Sequence, residues 1–228
     1  MNSESINQSL SNITDSIDTY KNYPIPKVTY FDLNPIYKDR ILLHELTKVL
    51  IDKIRSLKYQ NHHALTASFD YIACIESRGF ILGSILAHAF NKGIILLRSK
   101  PGRLPGNTTM VEHTLEYGEA QMEVQNGTGR VLIFDDVLAT GGTSQAAQEL
   151  LTKSGYDPVY ALFLLELSYC KPNLNNVEYT SIITFDKDPY APVKKKTKTK
   201  AKPKSKAKPK AKKKSKAKPP IVAISDEE

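Results

Sequence analysis

The chain contains no tryptophan, only two cysteines and no apolar run near the roughly 18 residues that a membrane-spanning helix requires. No transmembrane anchor is therefore expected. Cys74 and Cys170 both fall in apolar segments that read as strands, so buried thiols in a reducing compartment are expected rather than a disulfide framework. The first 30 residues hold Glu4, Asp15 and Asp18 and no arginine, which argues against a secretory or mitochondrial leader. Basic charge is also missing from most of the chain. The formal net charge is +8, yet 15 lysines and no acid lie between Lys194 and Pro220, leaving 17 basic and 21 acidic residues in 1–193. The body is mildly acidic and the basic character belongs to the tail.

At 228 residues and 40% hydrophobic content there is material for one ordinary domain with appendages. The expected organisation is a polar leader over 1–22, loose or partly helical, one folded domain over 23–190, and a disordered lysine-rich tail over 191–228. Within the domain, Ile41, Leu42, Leu46, Val49, Leu50, Ile54 and Leu57 recur at helical spacing. Short apolar runs at 69–76, 93–98, 131–134, 159–167 and 180–185 read as strands, and 78–90 and 143–155 read as helices. Residues 119–124 read as a further strand. Residues 101–118, with Pro101, Pro105, Gly102, Gly106 and Gly118, predict a long excursion with weak local structure. This alternation predicts a parallel α/β domain, whose ligands sit beyond the carboxyl ends of the strands.

The stretch VLIFDDVLATGGTSQAAQELL, residues 131–151, carries the chemistry. A strand buried on both faces emerges as Asp135-Asp136, two like charges that need hydroxyl donors or a cation nearby. A ribose diol or a hydrated Mg2+ supplies either. Ala139-Thr140-Gly141-Gly142-Thr143 then runs into a helix, where free backbone N–H groups and threonine hydroxyls form a nest for a phosphate monoester. Acids followed four residues later by an anion nest suit a phosphorylated five-membered sugar. No Gly-Lys-Ser/Thr follows and no GxGxxG occurs, so this is neither a Walker A loop nor a dinucleotide fingerprint.

The joined motif resembles the phosphoribosyl pyrophosphate signature of the type I phosphoribosyltransferases. YFDLNPIYKD (30–39), DYIACIESRGFILG (70–83), KPGRLPG (100–106) and LEYG (115–118) resemble the blocks of the adenine phosphoribosyltransferase branch, in order, over about residues 25–185. The resemblance implies a Rossmann-like parallel-sheet α/β fold with a hood or lid region. It implies transfer of phosphoribose to adenine, giving AMP and pyrophosphate, with Mg2+ carried mainly by the substrate near Asp135 and Asp136. It further implies that Ser77 and Arg78 contact pyrophosphate beside a cis Glu76–Ser77 peptide, joined by Lys100 and by Arg103, which stands where the family commonly has lysine. Asp135 and Asp136 would orient the ribose, and Ala139, Thr140, Gly141, Gly142 and Thr143 its phosphate. On the lid, Glu116 would face purine N7 and Tyr117 would help to exclude water. Adenine would lie near Thr29–Asp32, with Phe31 where the family often has an arginine stacked on the base; Phe31 as plain core is the competing reading.

A homodimer is what the family implies. The tail resembles linker-histone tails in composition, which fits nucleic-acid or other polyanion binding, nuclear entry beside a cytoplasmic location, or a solubilising appendage. Two rival functions remain at this point: a hypoxanthine, guanine or xanthine phosphoribosyltransferase, and a phosphoribosyl-pyrophosphate-responsive regulator that binds nucleic acid. ESRGF and LEYG weigh against the regulator, because a sensor needs no lid.

Overall fold

The structure is a computed structural model that describes residues 3–115, 118–175 and 177–191. In chain order it contains α1 (Ser3–Asp15), β1 (Asp18–Lys21), β2 (Thr29–Asp32), α2 (Asn34–Lys38), α3 (Arg40–Ser56), β3 (Lys58–Tyr59), β4 (His63–Ala64) and β5 (Tyr71–Ile75). There follow α4 (Gly79–Phe90), β6 (Gly93–Leu97), β7 (Thr108–Leu115), β8 (Gly118–Gln125), β9 (Gly129–Leu138), α5 (Gly142–Lys153), β10 (Tyr156–Leu167) and β11 (Tyr179–Phe185).

Five strands form the central sheet in the order β11-β10-β9-β5-β6, and every pairing is parallel. Successive side chains of a strand point to opposite faces, which explains the near-continuous apolar runs. Ile72, Cys74, Leu132, Phe134, Leu162 and Leu164 bury on one face with Leu46, Leu50, Leu82 and Leu86 of α3 and α4. Ala73, Ile75, Ile133, Ala161 and Phe163 bury on the other with Ala147, Leu150 and Leu151 of α5. Helix α3 starts where Asp39 Oδ1 accepts from the N–H groups of Ile41 and Leu42, at 2.7 and 3.1 Å, leaving two fewer unpaired amides. Gly83 lets α4 lie close on β5, since a Cβ there would stand 2.1 Å from Cys74 Sγ.

Two expectations change, and a third is narrowed to one of its alternatives. The polar leader is an ordered helix and strand: Ile6, Leu10, Ile13 and Ile17 recur at helical spacing, Ile13 is fully buried, and β1 pairs antiparallel with β2. The 101–118 excursion instead enters a hairpin, β7 with β8, whose Val111, Met122 and Val124 bury in the α5-side core. Proline and glycine at 101–106 masked the alternation that begins at Thr108. Cys74 is buried in β5 as expected, whereas Cys170 lies half-buried in a short helical turn rather than a strand.

Candidate active site

Strand β9 does not end at Phe134, as its apolar run suggested. It continues to Leu138, paired with β10 through Phe163↔Asp135 and Leu165↔Val137. Its other neighbour, β5, pairs with it only as far as Cys74↔Phe134. Beyond Ile75 the chain leaves the sheet through a cis Glu76–Ser77 peptide and turns into α4. Asp135 and Asp136 therefore sit at the carboxyl end of the sheet where one flank has opened, the expected place for a ligand in this class of fold.

A cavity of about 550 Å³ occupies that opening. Ser77, Arg78, Asp135, Asp136, Ala139 and Thr143 line it from the sheet side, Thr29, Tyr30 and Phe31 from β2, and Ala120, Gln121 and Met122 from β8. Residues far apart in sequence thus share one cavity.

The charges are tightly arranged. Asp136 is 2% exposed, and its Oδ2 lies 2.8 Å from Arg78 Nε. Arg78 also donates from Nη1 to the Phe31 carbonyl at 3.1 Å, and its guanidinium lies 5.0 Å from the Tyr30 ring centroid. Burial and the Asp136 charge push the Asp135 carboxyl well above the usual range. Burial also raises Asp136, against the pull of Arg78. Burial opposes the positive charge of Arg78, but the two aspartates and Tyr30 outweigh it, and its affinity for the proton rises. Burial followed by the Asp136 charge likewise raises the Tyr37 hydroxyl. An acid pair held this way favours cations and hydroxyl donors.

Of the turn expected to hold a phosphate, Ala139 and Thr143 line the cavity, while Thr140, Gly141 and Gly142 do not. Gly141 adopts φ +94° at the cap of α5, and having no side chain it leaves the first-turn amides to a ligand. The turn is braced from behind, because Asn173 N–H donates to the Thr140 carbonyl at 3.0 Å and Gln145 Nε2 to the Asn173 carbonyl at 2.7 Å. Gly142 opens the helix itself.

Other expected residues land differently. Glu76 is the hub of its loop: Oε2 accepts from Ser99 N and Oγ at 2.6 and 2.9 Å, and Oε1 lies 3.2 and 3.6 Å from Arg98 and Arg103. Burial would raise its pKa, but the Ser99 bonds and the two arginines lower it. Arg103 is thus tied to Glu76 and, through its N–H, to Glu123 Oε2 at 3.1 Å. Lys100 is exposed and does not line the cavity. Phe31 is 2% exposed, its ring 4.8 Å from that of Phe185, so most of it is core while it contributes to the cavity wall. Glu116 and Tyr117, between β7 and β8 in sequence, lie outside the described residues. Asp188 was not anticipated: it lines the cavity and accepts from the Thr29 hydroxyl at 2.8 Å. An aspartate in the turn DKDPY gives no local signal for this.

Residues 43–168 match the family model of the phosphoribosyl transferase domain. Among curated proteins the chain is similar to the adenine phosphoribosyltransferase of Thermosipho africanus, 38% identical over 154 residues, which is 66% of this chain and 84% of that protein. It is also similar to that of Mus musculus, 35% identical over 176 residues, covering 75% and 93% respectively. Among solved structures it is similar to the adenine phosphoribosyltransferase of Thermoanaerobacter pseudethanolicus, with TM-score 0.69 and 31% identity over 77% of this chain and 99% of that one. The enzyme of Giardia lamblia complexed with 9-deazaadenine matches at TM-score 0.67 and 29% identity, over 77% and 97%. With the motif, the sheet and the cavity in agreement, the chain belongs to the adenine phosphoribosyltransferase family.

Proposed function

We propose that the protein transfers phosphoribose from 5-phosphoribosyl 1-pyrophosphate to adenine, giving AMP and pyrophosphate. The observation that carries this reading is the meeting, around one cavity, of the Asp135–Asp136 pair, Arg78, Ala139 and Thr143 at the two ends of the glycine turn, and the Thr29–Phe31 wall. In this reading the amides and hydroxyls of Thr140–Thr143 hold the 5′-phosphate, and Asp135 and Asp136 hold the ribose diol and favour positive charge building on the ring. Ser77 and Arg78 receive the departing pyrophosphate, with Lys100 and Arg103 adding charge nearby. Purine N9 attacks C1′ as the C1′–pyrophosphate bond breaks, with inversion and without a covalent enzyme intermediate. Glu116 favours protonated N7, and Tyr117 helps to keep water from an oxocarbenium-like sugar.

Among the described residues no three His, Cys, Asp or Glu side chains converge into a metal cage. Asp135 and Asp136 offer two hard oxygen donors, which fits Mg2+ held mainly by substrate phosphates beside them. Bound there, it would stabilise charge on the leaving group.

We also assign a homodimeric state, as the family suggests, and a cytoplasmic location. The lysine-rich tail supports polyanion binding through counterion release, with nuclear entry as a further role. Among the described residues no helix is long and apolar enough to cross a membrane. Removing 194–228 should leave turnover nearly intact and abolish salt-sensitive DNA retention; equal retention by the acidic body would refute the tail assignment.

The deciding assay offers the purified protein phosphoribosyl pyrophosphate, Mg2+ and labelled adenine, hypoxanthine, guanine or xanthine. AMP from adenine is expected. Use of hypoxanthine in place of adenine would overturn the base assignment, and nucleotide from none of the four would overturn the activity.

A further inference from the structure

One carboxylate in the cavity has no part in the sugar-phosphate half of the site. Asp188 lines the cavity with Thr29, Tyr30 and Phe31, the wall expected to hold the base. Its Oδ1 accepts from the Thr29 hydroxyl at 2.8 Å and from the Tyr190 N–H at 3.0 Å. The Tyr190 hydroxyl in turn donates to the Thr19 carbonyl at 2.8 Å. The segment after β11 is thereby fastened to the β1–β2 hairpin, and the carboxylate is oriented rather than free to rotate. Among the described residues both side-chain hydrogen bonds of Asp188 fall on Oδ1, which leaves Oδ2 as the oxygen available to a ligand in the cavity that Asp188 lines.

We infer that Asp188 is a specificity residue: Oδ2 accepts a hydrogen bond from the exocyclic amine of a 6-aminopurine and disfavours a 6-oxopurine, whose carbonyl oxygen would meet a second acceptor with no proton between them. This rests on the purine reading above. The physical basis is the asymmetry of buried hydrogen bonds, in which an unmatched acceptor pair costs more than a matched pair gains. Thr29 supports the arrangement by donating its only hydroxyl proton to Asp188, so it serves as a positioning residue.

Asp188→Asn tests this with little change of shape. Because both protein donors meet Oδ1, the amide oxygen takes that place and the NH2 group replaces Oδ2, turning the ligand-facing acceptor into a donor. The measurement is kcat/KM for adenine and for hypoxanthine in the full chain and in the variant, with thermal unfolding to confirm folding. The adenine-to-hypoxanthine ratio is expected to fall by about 100-fold in Asp188→Asn. A role confined to fastening the hairpin would lower both substrates together and leave the ratio in place, which would overturn the inference. Asp188→Ala carries the same test should the asparagine variant not fold, since it too must lower the ratio. Failure of the wild-type protein to form nucleotide from either base would instead overturn the purine reading itself.

Discussion

Replacing Arg78 by methionine removes the one ionic partner, among the described residues, of a carboxylate that is 2% exposed, and the consequence can be worked from the geometry. Breaking a buried ion pair by deleting one partner costs about 3–5 kcal/mol when both charges are fully desolvated. Here the Arg78 side chain remains 32% exposed, so water already screens part of the pair and about 2 kcal/mol is the better expectation. The lost bond to the Phe31 carbonyl adds about 1 kcal/mol, for a total near 3 kcal/mol. Asp136→Asn alone leaves a half-exposed guanidinium that water can solvate, at about 1 kcal/mol. The double variant no longer leaves Asp136 as an unpaired buried charge, so the two single losses should exceed the combined loss by about 2 kcal/mol. Urea unfolding of the four proteins at neutral pH measures this coupling. Losses that add to within about 0.5 kcal/mol would refute the claim that these side chains form one electrostatic unit. Arg78→Lys should recover little of the loss, because a single ammonium cannot serve Asp136 and the Phe31 carbonyl with the planar fork of arginine.

Gly83→Ala should destabilise by about 1–3 kcal/mol, since its Cβ would stand 2.1 Å from Cys74 Sγ, and Cys74→Ala in the same chain should restore most of the loss in thermal unfolding. Gly141→Ala should weaken phosphoribosyl pyrophosphate binding, measured as KM. The position has φ +94° and a Cβ would meet the Asn173 carbonyl oxygen at 2.2 Å, so the nest must deform; an unchanged KM would remove the nest from the site. Hydrogen bonds from Arg130 hold the Asp70 carboxyl down at about 2. Its contribution to stability is therefore present above the ordinary aspartate pKa and lost as pH falls through about 2. Asp70→Asn should be less stable than the wild type near pH 6 by a small margin, both side chains being half exposed, and the margin should close as pH approaches 2. A margin that widened on acidification would contradict the pairing.

The features legible in the amino-acid sequence were those whose physics is local. Residues 131–151 pass from buried strand to acids, glycine turn and helix within one short span, so their order alone pointed to a sugar-phosphate site, and the five apolar runs at 69–185 announced a parallel sheet. Even there, only pairing with β10 shows that β9 runs on to Leu138 and that the acids lie inside a strand. The leader was half legible: Leu10, Ile13 and Ile17 had helical spacing, but the helix they pack against, α3, lies beyond the β1–β2 hairpin.

What tertiary structure alone decided are contacts across long separations. Arg78 meets Asp136 and the Phe31 carbonyl because the departure of β5 from the sheet opens a gap beside β9. Phe31 became largely core because Phe185 of β11 lies against it, and Asp188 reached Thr29 across 159 positions because the segment after β11 returns to the β1–β2 hairpin. Spacing along a chain encodes geometry only while the backbone between two residues is one continuous element. Once turns and other strands intervene, the positions of the two ends are set by how the sheet orders its strands, and the same residue types acquire their roles from that.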